Sequence, residues 1–301
     1  MKKQSKKFML AGVLLLAIAG LLALTSCKND SVPEPPSEAD WLQEQKKELE
    51  GKTEGTYTIT APSYLTKGGL VDLAKLLRER ASRPIGAVSV DLDLSQATGL
   101  TYIAAGTFIG CGTLQSVKLP SSVTEIGEYA FAYTALPEVT IPEGVTTIGA
   151  SAFAYTNLTE VTIPEGVTFI GDSAFKNCTS LTEVTIPEGV TTIGFYAFYN
   201  CQSLTEVTIP EGVTTIGDSA FASTDLREVT IPTSVTKIGK YAFEYCSSLT
   251  QVIFEETKGW YTKTDLYNED ELPVSIDVST PSTNAGKLLG GEWLNMNLIR
   301  E

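Results

Sequence analysis

The sequence predicts a β-rich solenoid closed at both ends by small α/β caps, and three observations predict it. One phrase recurs six times between residues 114 and 248, beginning at Leu114, Leu136, Leu158, Leu181, Leu204 and Leu226, a period of 22 or 23 residues. Such a period marks stacked coils whose apolar faces only their neighbours can bury. Apolar residues also hold fixed offsets inside every copy, and the flanking segments abandon the phrase for the patterns of capping elements.

The copy at residues 181–203 shows what each position does. Leu181, Val184 and Ile186 mark one strand-like side of the coil. Pro187 lacks a ladder donor and forces a corner. Val190 and Ile193 line a second side, and Gly194 permits a turn that a side chain would crowd. Ala197 and Phe198 close a third side, with the phenyl ring filling the centre. Stacking is what stabilises such a coil, since each large apolar side chain gains about 1.5–3 kcal/mol only when fully buried.

Taken in order, residues 1–27 read as a targeting segment. Lys2, Lys3, Lys6 and Lys7 precede the apolar run Phe8–Leu24, which closes in Leu24-Thr-Ser-Cys27. Small residues before a cysteine resemble the lipobox of bacterial lipoproteins, and the resemblance implies cleavage before Cys27 and lipidation of its sulfur. A membrane span near the lower length limit and an ordinary signal peptide are the competing readings. Multiple acyl chains on one cysteine would tether the mature chain stably.

Residues 28–55 read as a tether, Pro-rich at Val32-Pro-Glu-Pro-Pro-Ser37, with Trp41–Glu50 expected to be disordered or loosely helical. Residues 56–87 are expected to cap the array. Thr56–Thr60 alternates like a strand, and Leu70, Leu73, Leu76 and Leu77 share a helix face running to about Ser82. Arg78, Arg80 and Arg83 at that helix end are read as solvated, with an anion site as the less favoured alternative. Residues 88–254 hold the repeats, starting with a degenerate coil at 88–113. Residues 255–301 form the C-terminal cap, where Trp293, Leu294, Leu298 and Ile299 are expected to cover the last rung and a strand and a helix are expected at 272–278 and 279–289.

Aligned, the copies read Leu-x-x-Val-x-Ile-Pro-x-x-Val-x-x-Ile-Gly-x-x-Ala-Phe-x-x-Cys/Thr. This phrase resembles the BspA-type leucine-rich repeat of bacterial surface proteins. The resemblance implies a leucine-rich-repeat solenoid of short strands with an irregular or short-helical convex side. It also implies display at the bacterial outer membrane or cell surface and a part in adhesion, an analogy from family rather than a reading of spacing.

Composition narrows the chemistry. The chain has 22 basic and 36 acidic residues, and loss of residues 1–27 removes four lysines and no acid, taking the net charge from −14 to −18. So acidic a chain is not expected to bind nucleic acid. It has no histidine, which removes the commonest general base and metal ligand. No catalytic set, phosphate loop or metal signature is found, so neither an enzyme nor a cofactor is expected. Asp91 and Asp93 share a strand face but lack partners for a catalytic pair. Cys111, Cys178, Cys201 and Cys246 occupy one slot three residues after the phenylalanine, filled elsewhere by Thr134, Thr156 or Thr224. A slot that takes Thr or Cys is a packing position. Buried free thiols are expected, while Cys178 and Cys201 on adjacent rungs leave a disulfide open.

Two surfaces remain as candidates for binding. Glu160, Glu183 and Glu206 belong to one column of carboxylates, a second column runs through Glu143, Glu165, Glu188 and Glu211, and Thr162, Thr185 and Thr208 stand between them. This stripe reads either as a surface for cations or basic proteins or as a solubilising face copied by duplication. Phe195, Tyr196 and Tyr199 cluster on one coil outside the core slots, as recognition anchors do. The expected function is capture of an extracellular protein or glycan, with membrane attachment through the lipid; a structural spacer without a ligand is the alternative.

Overall fold

The computed structural model describes residues 36–52, 54–81, 88–263, 274–275, 278–279, 284, 287 and 297–300. Cys27, residues 28–35 of the tether, Arg83, Trp293 and Leu294 lie outside them. The elements below belong to the unit spanning Ser37–Glu301.

The repeats form a stack of coils with three sides, as the phrase predicts. The second side forms the continuous sheet. Seven two-residue rungs, from Tyr102–Ile103 to Lys237–Ile238, pair in parallel, and each isoleucine sits over the isoleucine of the coil before it: Ile103, Ile126, Ile148, Ile170, Ile193, Ile216 and Ile238. All seven are buried while the residue before each faces outward or half outward, the alternation a strand requires. The first side pairs in shorter pieces, Glu160–Thr162 with Glu183–Thr185 and Glu228–Ile231 with Gln251–Phe254. At the corner between them, Val190 N–H donates to the Pro187 carbonyl at 3.1 Å, and the same turn recurs at Pro142, Pro164, Pro210 and Pro232. Proline ends the strand and the turn takes over its hydrogen bonding.

The third side is neither strand nor helix but a ladder of turns. Its core is a file of seven buried rings, Phe108, Phe131, Phe153, Phe175, Phe198, Phe221 and Phe243, with centroids 5.2–5.7 Å apart and planes within 13° of parallel. The spacing is the rung spacing, so each ring stacks on the next because the backbone already places it there. Gly194 earns its place by proximity rather than by a special φ. A Cβ there would come 2.6 Å from Asp172 Oδ1 and 2.7 Å from the Ile170 carbonyl oxygen, closer than the stacked coils permit.

The N-terminal cap differs from expectation at its start. Residues 38–51, read as part of a tether, form a helix (α1, Glu38–Gly51) with a reciprocal capping box between Ser37 and Asp40. Trp41, Gln45 and Leu49 are buried. The helix is held by polar contacts that spacing alone does not show. The Glu38 carboxylate accepts from Thr66 N–H at 2.6 Å and Thr66 Oγ1 at 3.0 Å, and Tyr57 Oη donates to Gln45. The expected strand and helix follow as β1 (Gly55–Thr60) and α2 (Lys67–Ala81), with Leu70, Leu73, Ala74 and Leu77 buried. β1 pairs in parallel with β2 (Val88–Asp93), which joins the first coil. The arginines at the end of α2 are not a solvated helix terminus. Arg78 donates to the Thr107 carbonyl at 2.8 Å and Arg80, itself buried, donates to the Lys52 carbonyl. They fasten the cap to the first coil and α1 to α2.

At the other end the chain closes its own ladder. Asn297–Arg300 pairs antiparallel with the last rung, Lys237–Ile238, and Trp260–Lys263 pairs with it in turn. Leu298 is fully buried against Ile238, as the sequence predicts for the cover of the last rung. Trp260 packs edge-on to Phe254 at 4.9 Å. Within the strand expected at 272–278, Val274–Ser275 is a strand and Val278 is not.

Candidate functional site: the Glu–Thr face and the turn edge

The two columns and the threonine row come together on one face. Glu160, Val161 and Thr162 pair directly with Glu183, Val184 and Thr185, so the valines point inward and the carboxylates and hydroxyls stand in register outside. Glu206 and Thr208 continue the rows on the next coil, both exposed. Two shallow troughs lie along this face. One, of about 330 Å³, is bordered by Glu138, Thr140, Glu143, Glu160, Thr162 and Glu183. The other, of about 490 Å³, is bordered by Glu188, Glu206, Thr208, Glu211, Arg227 and Glu228. On this face Glu211 is held by hydrogen bonds from the neighbouring coil. Its oxygens accept from Thr233 Oγ1 at 3.0 Å and from Ser234 N–H at 3.2 Å, and these bonds, the Thr233 hydroxyl first, hold its carboxyl below the usual glutamate range. Among the described residues no cluster of three or more acidic or thiol groups is arranged to hold a metal.

Phe195, Tyr196 and Tyr199 lie elsewhere, at the junction of the continuous sheet and the turn side. Tyr196 and Tyr199 meet edge-on at 5.6 Å, and Lys176 Nζ stands 5.2 and 5.3 Å from their ring centres. Phe195 is exposed and its N–H donates to Asp172 Oδ1 at 2.9 Å. The structure thus joins the two tyrosines through a cation but does not bring the trio onto the Glu–Thr face.

Sequence reasoning missed the character of the turn edge. All twelve non-glycine residues with positive φ among the described residues fall at two slots, two before and two after the core phenylalanine. The pairs are Tyr129 and Tyr133, Ser151 and Tyr155, Ser173 and Asn177, Tyr196 and Asn200, Ser219 and Ser223, and Tyr241 and Tyr245, with φ of 53–61°. The first coil has Gly106 and Gly110 there, at φ 63° and 71°. That pair of glycines flanking Phe108 was the available signal, since glycine is the default at left-handed positions. The left-handed residues let the chain alternate its hydrogen bonds. Tyr196, Phe198 and Asn200 donate to the next coil, at Asp218, Ala220 and Ala222, while Tyr199 and Cys201 donate back within their own turn, to Tyr196 and Phe198.

The cysteine slot is a packing position, as its interchange with threonine indicates. Cys111, Cys178, Cys201 and Cys246 are free and buried. Cys178 and Cys201 donate 3.2 Å bonds to the Phe153 and Phe175 carbonyls, where Thr134, Thr156 and Thr224 instead bond the phenylalanine of their own coil. Burial pushes the Cys178 thiol up to about 11 and Cys111 to about 12. Asp91 accepts from Ser116 Oγ and Asp93 from Ser95 N–H, so both serve the strand they sit on.

The repeat geometry agrees with the comparison to known families. The BspA type leucine rich repeat region matches in six copies, over residues 91–193 and 168–263, more than half of the chain. The chain belongs to the BspA-type leucine-rich-repeat family. No curated protein matches it. Solved structures similar to it include a leucine-rich repeat protein from Bacteroides ovatus, 26% identical, with a TM-score of 0.45 over 56% of this chain and 56% of that one. A leucine rich cell surface protein from Faecalibacterium prausnitzii is 28% identical, with a TM-score of 0.35 over 57% and 64%. The leucine-rich repeat protein of T. pallidum is 28% identical, with a TM-score of 0.48 over 64% and 83%. The chain spans less than two thirds of the length of the first two.

Proposed function

We propose that this BspA-type solenoid is a lipid-anchored module of the bacterial surface that captures an extracellular protein or glycan on its Glu–Thr face. The observation that carries the reading is the register of that face. Glu160 stands against Glu183 and Thr162 against Thr185 over buried valines. Like charges placed side by side cost the sheet a few tenths of a kcal/mol per pair, and a cationic or hydroxyl-rich partner relieves that cost on binding. The rows are held by the ladder beneath them, so little order has to be gained when a partner docks. Phe195, Tyr196 and Tyr199 offer a second anchoring surface for a protein partner.

Intact cells are treated with protease, with a Cys27→Ala control, and the purified chain is assayed for capture of extracellular matrix proteins. Supporting results are loss of the protein from intact cells, release or failed processing of the control, and capture that a Glu160→Gln, Glu183→Gln, Glu206→Gln triple variant weakens. Protection until the outer envelope is opened sinks the surface reading and favours a periplasmic spacer. Capture insensitive to the triple variant but lost on changing Tyr196 and Tyr199 moves the binding surface to the aromatic cluster.

A further inference from the structure

We propose a second binding site, on the turn edge and separate from the Glu–Thr face, that takes a neutral oligosaccharide. The site is a depression of about 330 Å³ lined by Asn200, Gln202, Ser223, Asp225, Tyr245 and Ser247, which come from three successive coils. That volume is at the low end of ligand sites.

The polar side of the depression is organised before any ligand arrives. Asn200 Nδ2 donates to Asn177 Oδ1 at 2.7 Å, Gln202 Nε2 donates to Asn200 Oδ1 at 2.9 Å, and Ser248 Oγ donates to Asp225 Oδ1. Each bond uses one atom of a group that has more to offer. The second N–H of each amide, the Gln202 carbonyl, the other Asp225 oxygen and the hydroxyls of Ser223 and Ser247 remain for a ligand. Donors and acceptors therefore alternate over one shallow surface that holds a single carboxylate and no cation. Sugar hydroxyls, each donor and acceptor at once, suit this set. An anionic ligand does not, on a chain of net charge −14.

Tyr245 supplies the apolar half. Its ring is 70% exposed, more than any other large hydrophobic residue described. It also stands at φ 58°, in the slot where the two preceding coils place Asn200 and Ser223. A bulky residue is disfavoured in this left-handed conformation, and strain of that kind gathers at functional positions. A bare ring beside an amide ladder matches a pyranose, whose C–H face lies on the negative face of the ring while its hydroxyl rim reaches the amides.

The test uses the full chain and neutral tetrasaccharides of glucose, galactose, mannose and N-acetylglucosamine, read by saturation-transfer NMR and titration. At least one sugar is expected to receive saturation from the native chain. Tyr245→Ser should weaken it about tenfold or more, while Tyr245→Phe retains it. Gln202→Ala should weaken it also, and the Glu160, Glu183 and Glu206 glutamine triple variant should leave it unchanged. Serine fills the same slot at Ser223, so Tyr245→Ser is expected to melt no lower than the native chain. The site is overturned if no tetrasaccharide binds, if Tyr245→Ser and Gln202→Ala both bind like the native chain, or if the triple glutamine variant abolishes binding. The last outcome places the sugar on the Glu–Thr face and leaves the proposed function standing.

Discussion

The Glu–Thr face and the turn edge belong to the same 22- or 23-residue coil, yet the backbone treats their outward residues differently. On the face the chain is extended where Glu160, Thr162, Glu183 and Thr185 point out, and an extended backbone accepts almost any side chain at those positions. On the edge, Tyr129, Tyr155, Asn200 and Tyr245 sit at φ between 53° and 59°, where only glycine is free of penalty and asparagine is partly tolerated. A residue on the face therefore reports little about the fold. A tyrosine on the edge is kept against a local cost, which makes the edge the more informative place to look for function.

The largest test of this contrast removes what both surfaces rest on. Phe198 lies in the middle of the ring file, 5.4 Å from Phe175 and 5.3 Å from Phe221. Phe198→Ala should cost about 3–5 kcal/mol. Because each coil packs only on its neighbours, urea unfolding followed by fluorescence should also broaden or split as the two halves of the array uncouple. A loss below about 1 kcal/mol would mean that the edge, not the core, sets the stack.

The next effect has the opposite sign. Tyr129 is at φ 53° and 41% exposed, so its ring contributes little burial to offset the left-handed backbone. Tyr129→Asn should stabilise the chain by about 0.5–1 kcal/mol, since such a conformation costs other residues about 1–2 kcal/mol. A lower melting temperature would show that the ring does more for packing than its exposure suggests. The matching change on the face, Thr162→Asn, removes a β-branched residue from an extended strand and should lower stability instead.

What the sequence showed and what it hid follow the same division. Leu181, Val184, Ile186, Val190, Ile193 and Phe198 could be assigned inward because apolar burial is periodic and period is visible in one dimension. Pro187 could be placed at a corner because a missing donor is a local property. The helix Glu38–Gly51 was underestimated because its fastening is polar and distant, through Glu38 to Thr66 and Arg80 to Lys52. The same applies to Arg78, whose partner is the Thr107 carbonyl on the first coil. The candidate glutamates and threonines were legible as a stripe because identical repeats place identical residues in register. Tyr245 was not legible as special, since little in its neighbours announces a left-handed backbone beyond Gly106 and Gly110 at the matching slots of the first coil.

The cysteine slot joins the two surfaces under the edge and makes the third prediction. The Cys178 thiol is raised from 9.0 to about 11 by burial, partly opposed by its bond with Thr156. A thiol whose folded pKa lies above its unfolded value contributes stability that is whole below pH 9 and is lost as the pH rises toward 11. Cys178→Thr, the residue found at Thr156 and Thr224, should change stability at pH 7 by less than about 1 kcal/mol, within the range of conservative core swaps. It should also flatten the alkaline fall above pH 9. Native chain should resist a thiol-alkylating reagent at pH 8 and react after unfolding; rapid native labelling would place these thiols nearer solvent than the geometry does.

The smallest expected effect lies on the face itself. Glu160 and Glu183 are directly paired neighbours on adjacent coils, both exposed. Glu183→Gln removes one member of a like-charge pair without disturbing the buried Val184, so the gain should be a few tenths of a kcal/mol. It should shrink further as salt rises from 10 mM to 1 M, because the Debye length falls from about 30 Å to about 3 Å. A salt-independent gain would assign the effect to packing rather than charge. A loss would mean that the carboxylate row contributes to the fold through bonds such as those Glu211 makes to Thr233 and Ser234, and the face would then be structural before it is a surface for binding.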